Sequence, residues 1–232
     1  MQDLSKPINL IIDATFFGRD YGFLILRDVQ KVLYFKEIKT ESIKHFREGI
    51  LALKKANYRI ASVTIDGRRG YINNIRKLLG NIPIQMCLFH QKLIIRRYIT
   101  DKPQSQCGRD LKELMQLLCK PESHQDFINK FYLLQSKYHG LLHQRNHLGH
   151  YKHNNLRAAF RSLDSNMLYL FTYSDWKYLN IPSTINRLEG LFGHLKSDLK
   201  IHRGLSKNRK KKAVRFYLKN FGKKDKKSTK NF

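Results

Sequence analysis

The β-prone runs of this 232-residue sequence are confined to its first 90 positions, and this asymmetry limits the folds available to it. Five runs rich in branched and aromatic residues are predicted to be strands, at 8–14, 21–27, 31–38, 59–66 and 83–89. Helical periodicity separates the third run from the fourth, and the fourth from the fifth. Three closely connected strands followed by βαβ units predict an α/β fold, with a mixed five-stranded sheet flanked by helices.

The remainder of the chain has a different pattern. Between residues 91 and 180 the strand signal vanishes and helical periodicity dominates, which predicts an all-helical insertion. Ile181-Pro182-Ser183-Thr184 then marks the start of a capped helix that runs to about residue 199. The predicted organisation is a core at 1–90, the insertion at 91–180, a core helix at 181–205, and a basic helix with a disordered tail at 206–232.

The charge of the chain points to a polyanionic partner. There are 45 Lys or Arg residues and 18 Asp or Glu residues, a formal net charge of +27. Nucleic acid is the leading candidate and an anionic membrane surface is the second. The apolar runs are strand-sized, far short of the roughly 20 residues of a spanning helix, so we expect no membrane partner. Three cysteines are too few for a disulfide framework and indicate a reducing, cytoplasmic environment.

Acidic residues are scarce, so their positions carry information. Asp13 closes the first predicted strand and Asp66 closes the fourth, two strands expected to be neighbours at the centre of the sheet. Glu189 lies one to two turns into the helix that follows residue 184, and could join them. If these carboxylates converge, either one of them is protonated or a cation lies between them. Mg²⁺ with oxygen ligands is the natural cation, and it suits phosphodiester chemistry. The alternative is that the two aspartates are ordinary turn residues and Glu189 is a solvated helix residue.

Four segments, in this order, carry a resemblance to a known family. They are residues 12–18 (IDATFFG), 66–70 (DGRRG), 85–91 (QMCLFHQ) and 181–190 (IPSTINRLEG). From about residue 8 to 221 the sequence resembles DDE transposases of bacterial insertion sequences in the Mutator-like group. The similar variant is the one whose full-length members carry an N-terminal zinc-binding module.

The resemblance implies a ribonuclease H-like fold with a helical insertion before the third acid. It makes Asp13, Asp66 and Glu189 the catalytic residues and the ligands of two Mg²⁺ ions, for which Mn²⁺ would substitute. The implied activity is cleavage of DNA at transposon ends, followed by attack of the freed 3′-hydroxyl on target DNA. The implied assembly is a homo-oligomer on DNA, with no small-molecule substrate. Cys87 and His90 form the family's C-x-x-H signature, to which we assign a structural role in preference to zinc binding or nucleophilic catalysis.

Several basic and polar side chains are candidates for DNA contact. Arg68 and Arg69 follow the second acid, and Asn186 precedes Glu189 by one turn. A solvated turn or tail is the alternative explanation for the charged ones. The full set of predicted DNA-binding residues is Arg68, Arg69, Asn186, Lys196, Arg203, Arg209, Lys210, Lys211 and Lys212.

Two other functions remain open from the sequence. Met1 lies only 12 residues before Asp13, so the family's N-terminal recognition module is not expected, and the chain could be a truncated remnant that binds DNA without turnover. A basic RNA-binding protein would explain the charge but not the ordered acids. A transposase core would act in the bacterial cytoplasm, associated with the nucleoid.

Overall fold

A five-stranded mixed sheet forms the centre of the protein. The computed structural model describes residues 6–67, 70–120, 124–185, 190, 192–193, 195–197, 199 and 204–221. The strands are β1 (Ile8–Phe17), β2 (Tyr21–Arg27), β3 (Val32–Ile38), β4 (Ile60–Ile65) and β5 (Ile84–Met86). Their order is β3-β2-β1-β4-β5, with β1, β2 and β3 antiparallel and with β4 and β5 parallel to β1. The predicted ribonuclease H-like α/β sheet is thereby confirmed.

Two helices cover one face of the sheet. They are α1 (Ile43–Lys55) and α2 (Tyr71–Leu79). Both are amphipathic, and α1 begins at an N-cap, Ser42, whose hydroxyl accepts a hydrogen bond from the His45 N–H. The buried face of α1 includes Phe46 and Ile50, which pack in one cluster with alternate residues of the central strands such as Leu10. Burial of this apolar face fixes which side of each strand is left for the rest of the molecule.

The all-helical insertion before the last core helix is also confirmed. Its helices are α3 (Leu88–Ile99), α4 (Gln106–Leu117), α5 (His124–Lys137), α6 (His139–His143), α7 (Asn154–Leu170) and α8 (Thr172–Asp175). They enclose their own core, in which Phe127, Phe131 and Phe160 are fully buried. The predicted end of the fifth strand is wrong: this strand ends at Met86, and α3 begins at Leu88. A continuous apolar run does not by itself separate a buried strand from a buried helix.

Polar side chains of the sheet hold the insertion in place. Gln85 on β5 donates from its amide nitrogen to the Leu170 carbonyl at 2.8 Å and accepts from the Tyr173 N–H at 2.9 Å. The Thr172 hydroxyl donates to the Ile84 carbonyl at 2.8 Å. Because Gln85 is fully buried, losing these bonds would leave polar groups unsatisfied. The insertion is therefore a fixed part of the core.

The C-terminal helix α9 (Lys207–Asn220) packs on the second face of the sheet. Its N-cap Ser206 accepts from the Arg209 N–H, and Val214 and Leu218 are buried in one cluster with Phe23 and Ile25 of β2. Despite its many lysines, α9 is thus part of the fold. None of the described helices combines the length and the apolar character needed to cross a bilayer.

Candidate active site

The register between β1 and β4 brings the first two predicted acids level. The prediction that Asp13 closes the first strand is wrong, because β1 continues to Phe17 through its pairing with β2. The parallel pairing with β4 ends with Ile11 opposite Thr64, so two residues further on Asp13 is level with Asp66. Adjacent strands are about 4.8 Å apart, which sets the scale of separation between the two backbones.

Both acids lie on the same face of the sheet. The Ser62 hydroxyl on β4 donates to the Asn9 side-chain oxygen on β1 at 2.7 Å, so these two residues share a face. Side chains two residues apart in a strand repeat on one side, which puts Asp13 on the face of Asn9. Asp66 has the same parity as Ser62, directly after β4 ends. Both aspartates are half-buried, which leaves their carboxylates within reach of an ion or substrate.

The residue that follows each acid fixes the local backbone. Asp13 Oδ1 accepts a hydrogen bond from the N–H of Ala14 at 2.8 Å. Gly67, directly after Asp66, has φ of 84°, a left-handed conformation that glycine adopts without strain. A Cβ at this position would overlap the Met86 side chain of β5. Glycine at position 67 therefore allows the chain to turn directly after Asp66 and to pass in close contact with Met86 of β5.

Three hydrogen bonds fasten the segment that leads towards Glu189 to the sheet. They join Thr64 Oγ1 to the Pro182 carbonyl at 2.9 Å, the Leu88 N–H to the Ser183 carbonyl at 3.0 Å, and the Ile185 N–H to Cys87 Sγ at 3.4 Å. Ile185 is buried with Ile11, two residues before Asp13 on the same strand. Residues 181–185 are thereby held across β4, the start of α3 and β1.

Two residues near the third predicted acid in sequence, four positions before it and three positions after it, are buried over the face of the sheet that carries Asp13. Ile185 packs in a cluster with Ile11, and Phe192 packs in a cluster with Phe23 and Ile25 of β2. Ile25 is the residue directly opposite Asp13 in the β1–β2 pairing. The predicted site residues Glu189, Asn186, Arg68, Arg69 and Arg203 lie outside the described residues.

Cys87 and His90 lie at the start of α3. Cys87 is fully buried at the N-cap position, and its sulfur is the acceptor for the Ile185 N–H. The His90 ring meets that of Phe89 edge to face, with centroids 6.4 Å apart. Within the described part of the chain, no three His, Cys, Asp or Glu side chains gather as potential metal ligands. The contact with Ile185 supports the structural role that we predict for Cys87.

Two of the predicted DNA-binding lysines line one cavity. Lys196 and Lys210 border a space of about 410 Å³ at the end of the β1–β2 hairpin, together with Lys207. The Lys196 ammonium lies 5.7 Å from the centre of the Phe17 ring. Phe17 is four residues beyond Asp13 on the same strand, or about 13 Å along it. The cavity therefore lies beyond Asp13, at the end of β1.

The basic run on α9 is divided between solvent and intramolecular contacts. Arg209 and Lys212 are exposed. Lys211 forms an ion pair with Glu37 of β3, and its ammonium lies 5.1 Å from the centre of the Tyr21 ring. Hydrogen bonding from Lys211 is the main cause of a lowered pKa of the Glu37 carboxyl, with a further contribution from Arg215, while burial acts in the opposite direction.

A second cationic cavity was not predicted from the sequence. It lies between α3 and α7, has a volume of about 690 Å³, and reaches Gly67 beside Asp66. Arg97 and Arg161 both line it, although 64 positions separate them in the sequence. Each belongs to an unremarkable helical segment, and only the packing of α3 on α7 brings them together. A helical-wheel comparison of the two helices could have identified each residue as exposed, but not their juxtaposition.

Comparisons of the sequence with protein-family models and with curated proteins found no match in either.

Proposed function

We propose that this chain is the catalytic core of a DDE-type transposase, which cleaves DNA and transfers strands by in-line attack at phosphodiesters. The observation that carries the proposal is the pair formed by Asp13 and Asp66. They are level in neighbouring parallel strands, on one face of a ribonuclease H-like sheet. In open α/β sheets, ligands bind at the carboxyl ends of such strands.

The residues present fit a divalent metal. Asp13 and Asp66 offer hard carboxylate oxygens, which are the ligands that Mg²⁺ prefers, and two adjacent carboxylates favour a cation between them. Mg²⁺, or Mn²⁺ in its place, would supply electrostatic stabilisation of the attacking and leaving oxygens at phosphorus when two ions are bound. The protein's own contribution is to hold the carboxylates in fixed positions and to bind the phosphates on each side with cations.

Two observations support Glu189 as the third acid. Ile185 and Phe192, which flank it in sequence, are both buried over the face of the sheet that carries Asp13. The preceding segment is bonded to Thr64, two residues before Asp66. In the sequence, Glu189 stands four residues after Ile185 and three residues before Phe192.

The partners follow from the same proposal. DNA, as transposon ends and as target, matches the net charge of +27 and the lysines beside Phe17. We propose that the chain acts as a homo-oligomer on paired ends and is associated with the nucleoid.

The decisive experiment is strand transfer from pre-cut DNA ends in Mg²⁺ or Mn²⁺. We compare the parent chain with Asp66→Asn and Glu189→Gln. Loss of an outer partner of a metal site costs about 10- to 100-fold, so loss of a direct ligand should cost more than about 100-fold. Asp126→Asn is the matched control, because it removes an exposed carboxylate of α5 that is paired with Lys130.

Each outcome distinguishes the proposed function from its alternatives. Equal activity of Asp66→Asn, Glu189→Gln and the control would contradict the assigned roles. DNA binding with no strand transfer by the parent chain would favour a DNA-binding remnant. A preference for RNA over DNA of equal length would favour an RNA-binding protein.

A further inference from the structure

A polar groove runs between α3 and α7 and ends beside the proposed active site. Its volume is about 690 Å³, within the range of pockets that take ligands of nucleotide size. The side chains that carry its chemistry are Arg97, Tyr98, Asn155, Arg161, Ser162 and Asn166. Gly67, which directly follows Asp66 in the chain, also lines the groove. A ligand lying in the groove would therefore extend towards the carboxylate pair.

The groove presents positive charge that none of the described residues neutralises through an ion pair. Arg97 on α3 and Arg161 on α7 are exposed, and neither forms an ion pair with any residue that the structure describes. The neighbouring Arg96 differs, because it forms an ion pair with Asp101 on the other side of α3. The described lining of the groove contains no carboxylate. Two guanidinium groups in such a setting are suited to phosphate oxygens.

Buried hydrogen bonds make the floor of the groove rigid. Gln91 on α3 is fully buried; its side-chain oxygen accepts from Asn166 Nδ2 at 2.9 Å, and its amide nitrogen donates to the Ser162 hydroxyl at 3.3 Å. These bonds join α3 to α7 through Ser162 and Asn166, which both line the groove. A site held in this way loses little freedom when a ligand binds.

Tyr98 adds an aromatic surface to the cationic one. It is half-buried, so its ring is braced by the core of the insertion while part of it faces the groove. Grooves that bind single strands combine cations along the backbone with aromatic rings on which bases stack. A duplex, whose major groove alone is about 12 Å wide, is too broad to enter a space of this volume.

We propose that the groove between α3 and α7 binds a single DNA strand. Arg97 and Arg161 contact its phosphates and Tyr98 stacks on a base. The inference deepens the proposed function and rests on it for one point, that the bound strand is continuous with the phosphodiester at Asp13 and Asp66. Binding itself does not depend on catalysis.

The test is binding of a fluorescent, mixed-sequence single-stranded oligonucleotide in a salt series without divalent metal. We compare the parent with the double variant Arg97→Ala/Arg161→Ala. Two lost phosphate contacts should reduce the salt slope by about 1.4 and weaken binding by about tenfold at low salt. The matched control is Arg96→Ala/Arg109→Ala, which removes the same charge from α3 and α4 outside the groove. Circular dichroism verifies that both variants are folded.

A second pair of variants tests the stacking contact. Tyr98→Leu should weaken single-strand binding by about fivefold or more, whereas Tyr98→Phe should retain it, because stacking does not need the hydroxyl. An unlabelled duplex should compete less well than an unlabelled single strand of equal charge.

The outcomes separate this inference from the proposed function. Equal salt slopes for the groove variant and its control, in a chain that still transfers strands, would overturn the groove and leave the catalytic proposal intact. Selective loss of binding in the groove variant, in a chain that transfers no strands in Mg²⁺ or Mn²⁺, would support the groove and reject the catalytic proposal. A duplex that competes as well as the single strand would contradict the proposed occupant.

Discussion

Helix α9 and the groove between α3 and α7 are both cationic, but they use their charge differently. On α9, Lys207 forms an ion pair with Asp20, and Lys211 and Arg215 form ion pairs with Glu37. In the groove, two arginines from different helices have no carboxylate partner among the described residues. A dense run of lysines in the sequence therefore does not measure the charge that is available to a polyanion.

The difference follows from where each region packs. Lysine stems can cover apolar surface while their ammonium groups remain available for polar contacts. The Lys211 ammonium lies over the Tyr21 ring and forms an ion pair with Glu37. Helix α9 covers β2 and β3, so part of its positive charge forms ion pairs with the sheet. The arginines of the groove project from helices that are already fixed by Gln91 and by the core of the insertion. We therefore expect substitutions on α9 to affect stability first, and substitutions in the groove to affect binding first.

The largest expected effect tests whether α9 is part of the core. Leu218 is 1% exposed, so Leu218→Ala should lower the free energy of unfolding by about 3 kcal/mol, from lost burial and a residual cavity. Phe216 on the same helix is 72% exposed, and Phe216→Ala should change it by less than about 0.5 kcal/mol. Denaturant unfolding measures both values. Equal, small changes would mean that α9 is a surface appendage like an ordinary basic tail.

The next effect concerns the junction of the groove with the acids. Gly67→Ala would put a Cβ into the Met86 side chain at a left-handed φ, and should cost about 2 kcal/mol of stability. Gly140 in α6 has open space around it and no positive φ, so Gly140→Ala should be neutral or slightly stabilising. Thermal unfolding compares the two. If they behave alike, the turn after Asp66 is not constrained as described.

The sheet and the major helices of the insertion could be predicted because their signals are local. Alternating or β-branched runs identified all five strands, and periodicity identified most helices. The exception at Leu88 has a physical reason: the run from Ile84 to Phe89 is apolar apart from Gln85, and the switch from strand to helix occurs at Cys87 without a proline or glycine. The predicted end of the first strand is also wrong. A charged residue favours the end of a strand, but the pairing of β1 with β2 continues past Asp13 to Phe17.

The candidate site could be predicted only in part. The neighbourhood of Asp13 and Asp66 followed from strand order, which is a consequence of βαβ topology. The bonds from Thr64 and Cys87 to residues 181–185 could not be foreseen, because they depend on the path of a chain that returns after about 90 residues of insertion. The groove had no sequence signal, since its charge arises from two arginines that are 64 positions apart in the chain.

A smaller effect is expected from an ion pair inside the insertion. Asp110 on α4 accepts hydrogen bonds from Lys137 Nζ and from the Tyr138 hydroxyl, both at 2.8 Å. Hydrogen bonding from Lys137 is the main reason that the pKa of Asp110 falls from 3.8 to about 2. A lowered carboxyl pKa means that the contribution is present above the unfolded value and is lost as the pH falls through the folded one.

Asp110→Asn should therefore lower stability by about 1 kcal/mol at neutral pH. The deficit should shrink below pH 3.8 and vanish near pH 2. Urea unfolding at several pH values measures it. Asp126→Asn, which breaks an exposed pair with Lys130 within α5, should have less than half the effect at neutral pH. A deficit that does not depend on pH would show that Asp110 acts through packing alone. Lys137 would then gain nothing from its carboxylate partner, like the groove arginines, which have none among the described residues.

The smallest effect is also the most discriminating between the two cationic regions. Glu37→Gln removes the partner of Lys211 and Arg215, and should cost less than about 1 kcal/mol because the pair is partly solvated. It should at the same time strengthen binding to duplex DNA and steepen the salt slope by up to about 1.8, since two cations are released towards the phosphates. Glu113→Gln on α4 is the matched control, because it changes the net charge equally but frees no described cation. If Glu37→Gln binds DNA more tightly than Glu113→Gln, the ion pairs with Glu37 keep Lys211 and Arg215 from contacting phosphates. If the two variants bind alike, only net charge matters and the distinction between α9 and the groove fails.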